Sequence, residues 1–188
     1  MKLIVLSMLI SIAAVYSTHA NADHPESTSA VKIGDNDIIE IEHSEGFNKM
    51  KQMLGTWEGK LTQNTGTVID TRSEFKLVSG GNLITEILTE DGVEMLTTYS
   101  DNKDGELVVK HYCALGTQPA FKLANASSNS VSVTLDESQG GYHPEHHSYV
   151  QSMQWTVDAK TGNSAVVDTT LYLDGELIEQ QAIISKVN

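Results

Sequence analysis

From Thr56 to Val187 apolar residues alternate with polar ones at a period of two, interrupted only by short clusters of turn-forming residues. No other feature constrains the fold as much, because a period of two places successive side chains on opposite faces of a strand and leaves no continuous helical stripe. Ten segments carry the pattern: 56–63, 68–78, 82–89, 94–100, 106–115, 121–124, 130–135, 148–157, 165–173 and 176–187. Between them lie Gly80-Gly81, Asp91-Gly92, Asp104-Gly105, the polar run 125–129, Gly140-Gly141, Gly162-Asn163 and Asp174-Gly175, all with the chemistry of tight turns. Short loops force neighbouring strands to run antiparallel, since a parallel crossover needs a dozen or more residues. A meander of about ten strands is long enough to curl and close, which also removes its exposed edges. The sequence therefore predicts an all-β domain over 46–188: a single antiparallel up-and-down β-barrel with a short N-terminal capping helix.

That helix is signalled by Phe47, Met50, Met53 and Leu54 at helical spacing, with Ser44 as the cap and Gly55 as the stop. Upstream, residues 23–45 mix Ser, Thr, Asp and Glu with one short alternating piece at 37–42, and read as a flexible leader with one edge strand. The first 22 residues are different again. Lys2, the apolar run 3–16 and Ala20-Asn21-Ala22 follow the order of a secretory signal peptide with a small-x-small cleavage site. The expected location is secreted or periplasmic. The apolar run is shorter than a membrane span requires, and no later stretch approaches that length.

The formal charge is −13, and loss of residues 1–22, whose only charged side chain is Lys2, makes the chain one unit more negative. An acidic chain without clusters of lysine and arginine is not built to bind nucleic acid. The single cysteine, Cys113, has no internal disulfide partner. Its neighbourhood is the most unusual part of the sequence. With a loop at 101–105, Ser100 faces Glu106, and Tyr99, Thr97 and Met95 fall opposite Leu107, Val109 and His111. The apolar face of this hairpin then carries His111 and Cys113 inward. Parity along 148–157 likewise turns His147, Tyr149, Gln151, Met153, Trp155 and Val157 to one face.

The segment FNKMKQMLGTWEGK, 47–60, runs a short helix into Gly55-x-Trp57 at the first strand. It resembles the opening of calycin barrels: lipocalins, fatty-acid-binding proteins and the ten-stranded nitrobindin-like group. The resemblance implies that Trp57 closes one end of the barrel. Residues 47–187, with His111-Tyr-Cys-Ala-x-Gly-x-Gln-Pro119, also resemble exported, mostly uncharacterised lipocalin-like bacterial proteins. Nitrobindin relatives hold haem through a histidine near the C-terminus. This chain has no histidine after His147, so haem is not implied and no cofactor is assigned.

These readings converge on reversible binding of a small apolar or amphipathic ligand inside the barrel. Trp57, Met95, Tyr99, Val109, Cys113, Tyr149, Met153 and Trp155 are the candidate wall, and His111, His147 and Gln151 the candidate polar groups. Arg72, the only arginine, shares a face with Asp70, Glu74 and Lys76, opposite Phe75 and Leu77, and so points away from the interior. His111 and Cys113 stand about 7 Å apart along one strand, too far for direct proton transfer, and no HExxH, phosphate-loop or nucleophile-elbow motif is present. A histidine- or metal-assisted enzyme on the same barrel, or a structural domain with a filled core, are the competing classes. Inward His111 and His147 could share a metal only if their strands approach one another. Export makes the first prediction: N-terminal sequencing of the mature protein should read from Asp23, and a cytoplasmic product starting at Met1 would refute the signal.

Overall fold

A computed structural model describes residues 41–187 of the protein. The expected signal peptide at 1–22, its expected cleavage point and residues 23–40 of the expected leader lie outside the described residues. Of the edge strand expected at 37–42, the described residues 41 and 42 are in no strand. A short helix, α1 (Glu45–Met50), continues as a 3₁₀ turn (Lys51–Met53) into ten strands: β1 (Gly55–Gln63), β2 (Val68–Val78), β3 (Leu83–Glu90), β4 (Val93–Asp101), β5 (Leu107–Tyr112), β6 (Ala120–Ala126), β7 (Ser130–Leu135), β8 (Tyr149–Val157), β9 (Ser164–Leu173) and β10 (Glu176–Val187). Each strand pairs antiparallel with the next, and β1 pairs with β10 from Thr56↔Val187 to Gln63↔Gln180, closing the barrel. Closure brings two backbones together at Gly59, where any Cβ would fall 1.9 Å from the Ile183 carbonyl oxygen.

The helix plugs one end. Phe47, Met50 and Met53 are fully buried there with Trp57, Tyr99, Leu107 and Val109, because the 3.6-residue period sends all three to the barrel side of a short helix. Ser44 caps the helix by accepting from the Phe47 amide at 3.0 Å. The cap is itself fixed by Asp101 at the end of β4, whose carboxylate accepts from the Ser44 hydroxyl at 2.5 Å and from its amide at 2.8 Å. Trp57 donates its indole N–H to the Met53 carbonyl at 2.6 Å, locking the 3₁₀ turn against β1. At the opposite end the strands are joined by the loops 64–67, 91–92, 113–119, 136–148, which holds a 3₁₀ turn at Glu137–Gln139, and 174–175, and among the described residues no α-helix covers them.

Besides an extra residue in β6 between Leu123 and Asn125, three local features depart from the expected pattern. The β4–β5 loop is tighter than 101–105: Asn102 N–H bonds to the Glu106 carbonyl, Gly105 takes a positive φ of 74°, and the Asn102 side chain accepts from the Asp104 and Glu106 amides. Ser100 therefore faces Val108 rather than Glu106, and Thr97 rather than Met95 faces His111. The slip is of two residues, so the inward face is unchanged. Second, β5 ends at Tyr112 instead of 115, because Cys113 to Gly116 form a turn closed by Cys113 N–H to the Thr117 carbonyl. Third, β8 carries an extra residue between Val150 and Ser152. A bulge of this kind reverses parity upstream of itself.

The Asp101 tie generates a prediction. Removing the carboxylate's two hydrogen bonds from Ser44 and its 3.3 Å contact with His43 Nδ1 should cost about 2 kcal/mol or more in Asp101→Ala. Loss of the cap alone in Ser44→Ala should cost about 1 kcal/mol. Urea unfolding of both and of the double variant should show a combined loss smaller than the sum, since the two side chains form one unit.

Candidate functional site

Inside the uncovered end lies a cavity of about 270 Å³. Its wall comes from inward positions on most of the barrel, among them Ile69, Leu88, Met95, Val150, Met153 and Leu171, with Val93, Leu115 and Leu173 at an apolar rim that is partly exposed. The polar groups that face it are Gln63, Glu90, His111, Cys113, Thr169 and Gln180. A smaller inner space of about 40 Å³ shares Leu88, Glu90, Met153 and Thr169 with it and continues toward Ser73, Glu86 and Thr97. A larger depression of about 720 Å³ runs over the outer surface of β6 to β10, lined by Ser132, Thr134, Ser152, Asp168, Thr170 and Gln181. It is shallow and open, and its side chains already pair: Ser152 with Thr170 at 2.6 Å and Gln181 with Asp168 at 2.8 Å. The interior cavity is the better site, being apolar, recessed and the place where titratable groups are perturbed.

Cross-strand register builds its polar floor. Glu86 lies opposite Thr97, and Thr97 opposite His111, so β3, β4 and β5 present one buried polar row. Tyr99 donates to one Glu86 oxygen at 2.5 Å and Ser73 to the other at 2.7 Å, while the Thr97 hydroxyl sits 3.0 Å from His111 Nδ1. Burial pushes the Glu86 carboxyl up, opposed by its hydrogen bonds from Tyr99, Ser73 and Thr97. Burial and the adjacent Glu86 push Tyr99 well above its ordinary value. Glu90, nearer the mouth, is pushed up to about 7 by burial and by the negative field of Glu86. His111 is lowered to about 4 by burial alone, so it is neutral at physiological pH. Burial also raises the Cys113 thiol, which keeps it protonated and a poor nucleophile.

Of the residues singled out from sequence, Met95, His111, Cys113 and Met153 line this cavity. Trp155 borders only the inner space. Trp57, Tyr99 and Val109 point inward but are packed into the closed end beneath the helix, where they fill volume instead of enclosing it. The bulge corrects the β8 assignments. Val150 takes the inward place, and Tyr149 lies on the other face, stacked on Tyr142 at 5.2 Å and packed against Tyr172. Gln151, in the bulge, does not border the cavity. His147 is exposed on the 136–148 loop, where its Nδ1 meets the His143 amide at 3.2 Å. His111 and His147 are thus not a pair, and among the described residues no three His, Cys, Asp or Glu side chains gather as a metal site. Arg72 lies on the outer face, paired with Glu58.

The residues missed were Glu86 and Glu90. Segment 82–89 has aliphatic residues at both parities, Leu83 and Ile87 against Ile84 and Leu88, so alternation alone did not choose a face. The signal was in the turn. A two-residue Asp91-Gly92 link pairs Glu90 with Val93 and hence Ile84 with the inward Tyr99, which turns both glutamates in.

No family model matches this chain, and no curated protein matches it. Among solved structures, a protein of unknown function from Nostoc punctiforme, of the DUF3598 family, aligns with a TM-score of 0.52 at 10% identity over 78% of this chain and 51% of that one. The chain spans about half the length of that relative. A redesigned β-barrel aligns with a TM-score of 0.39 at 15% identity over 77% of this chain and 99% of that one. The barrel mFAP2b bound to DFHBI gives 0.41 at 12% identity over 76% and 99%. At these identities the likeness is one of fold, the antiparallel β-barrel.

Glu90 has a consequence for stability. Below pH 4.5 it is protonated in both folded and unfolded chains. Between pH 4.5 and about 7 only the unfolded chain ionises it, so stability falls as pH rises and the loss is complete above about 7. His111 acts in the opposite sense: its contribution is full above 6.5 and declines as pH falls toward about 4. Glu90→Gln should therefore be more stable than wild type at pH 8, by up to about 3 kcal/mol, and nearly equal at pH 4. Equal melting temperatures at both pH values would show that Glu90 is solvated.

Proposed function

We propose that this chain is an exported, lipocalin-like protein that reversibly holds a small, partly apolar molecule in the uncovered end of its barrel. One observation carries the reading: packing is complete under the helix, with Phe47, Trp57, Tyr99 and Val109 fully buried, yet at the other end side chains of the same barrel leave a recess of about 270 Å³. A domain selected only for stability has no reason to keep a void, since a cavity costs contacts that a larger side chain would restore. The apolar rim of Val93, Leu115 and Leu173 gives a ligand a non-polar path inward, and the few polar groups beyond it can fix an orientation. The export half of the proposal rests on Lys2, the apolar run and Ala20-x-Ala22 alone.

Binding is favoured over covalent catalysis by the chemistry of Cys113 and His111. They share no hydrogen bond among the described residues, and the thiol is held protonated, so no activated nucleophile and base are assembled. The test uses n-octanol as a neutral amphiphile in isothermal titration. Wild type should bind one molecule saturably, and Met95→Trp, which fills the recess from β4, should abolish binding while costing no more than about 1 to 3 kcal/mol of stability. No uptake by wild type, or binding unaffected by Met95→Trp, would mean that this cavity is not a ligand site.

A further inference from the structure

We infer that the cavity selects a protonated amine with a short apolar chain, its ammonium group seated against the Glu90 carboxylate. This rests on the small-ligand reading above and adds the chemical class. The lining is one-sided in charge: the titratable groups on it are Glu90, His111 and Cys113, with Glu86 below, and among the described residues no lysine, arginine or aspartate borders either the cavity or the inner space. The cations of β1 and β2 are engaged outside, Arg72 with Glu58, Lys60 with Asp70 and Lys76 with Glu74. A carboxylate ligand would meet the neutral donors Thr169, Gln63, Gln180 and Cys113 but, among the described residues, no cation, and it would face Glu90. An ammonium would meet a partner.

His111 adds a second, independent sign. It is 3% exposed and borders the cavity, yet its only side-chain hydrogen bond among the described residues is through Nδ1 to Thr97. The Thr97 hydroxyl has one proton and also lowers the Glu86 carboxyl by hydrogen bonding. When that proton goes to Glu86, Nδ1–H must donate to Thr97, and Nε2 is left as a bare acceptor. Nε2 is not among the fully buried unpaired atoms, so it is reached from the cavity it borders, where a ligand N–H can donate to it. Gln63 and Gln180 are paired with one another at 3.3 Å. The volume corresponds to roughly nine waters at about 30 Å³ each, which suits a molecule of about ten non-hydrogen atoms. The head sits between Glu90 and His111, and the chain lies on Leu88, Met95, Val150 and Leu171.

The experiment compares n-octylammonium, n-octanol and n-octanoate, three probes of one length, by isothermal titration against the whole mature protein. At pH 8 octylammonium should bind about tenfold or more tighter than octanol, as an ionised hydrogen-bond partner in a recessed site provides, with octanoate weakest. The amine stays protonated from pH 5 to 8, so the preference should shrink toward pH 5 as Glu90 gains its proton. The groups facing Glu90 are Glu86 on its own strand, His111 from β5 and Cys113 from the turn that follows β5. Of these, His111 stays neutral across that range. Glu90→Gln should bring octylammonium down to the affinity of octanol. Asp104→Asn, an equal change of charge in the exposed β4–β5 turn, should keep the preference. Octanol binding without preference for the amine, a preference that survives Glu90→Gln or is lost equally in Asp104→Asn, or tightest binding of octanoate would each overturn the amine inference and leave small-ligand binding standing. Binding of none of the three would overturn both.

Discussion

Pairing of β1 with β10 is the interaction on which the rest depends, because an open ten-stranded meander would leave two unpaired edges and no inside. Once the edges meet, every inward residue is committed to a space whose girth is fixed by strand number. The contact tolerates no side chain at Gly59, where the Ile183 carbonyl occupies the place of a Cβ. The girth of ten strands exceeds what aliphatic side chains fill across the whole length. The chain resolves this asymmetrically: α1 supplies Phe47, Met50 and Met53 as extra core at one end, and among the described residues nothing comparable is supplied at the other. The cavity is a consequence of closure combined with a single plug.

The same closure explains why an unusual polar row can exist in the core. Glu86, Thr97 and His111 are neighbours only because β3, β4 and β5 are in register, and each finds a partner across the ladder that it lacks along its own strand. Tyr99 and Ser73 complete the set around Glu86. Among the described residues no fully buried side-chain nitrogen or oxygen lacks a hydrogen bond. A satisfied row of this kind rigidifies the floor of the cavity, so the groups above it face a fixed surface. Glu90 is the exception, placed two inward positions nearer the mouth, where no protein hydrogen bond meets it among the described residues.

Most of the architecture was legible from periodicity, since alternation and turn dipeptides are local and the barrel follows from their number. Register was less legible. The β4–β5 loop was drawn two residues too wide because Asn102 closes the hairpin with its own side chain, a bond that composition does not announce. Parity survived that error and failed at β8, where one extra residue before Ser152 moved Tyr149 outward and Val150 inward. His147 was lost with it, since it belongs to a loop tied to the outer surface by Tyr142 stacking and not to the strand whose parity it was given. The glutamates show a different limit. Their strand is amphipathic on neither face, and only the turn at Asp91-Gly92, read together with Tyr99 across the hairpin, decides which way it points.

Energetics bear on why such a lining persists. Two carboxyls among Leu88, Met95, Leu171 and Met153 are expensive in the free protein, because desolvation disfavours their charged form and the protein offers Glu90 no cation. Apolar residues of similar volume would stabilise the empty barrel. On the amine reading, part of the free energy that an unpaired Glu90 removes from folding would be regained when an ammonium enters, less the cost of desolvating that cation. A molecule without a positive charge returns none of it. On that reading the head group would carry the discrimination, while the apolar wall, which treats all chains alike, would set only the general affinity.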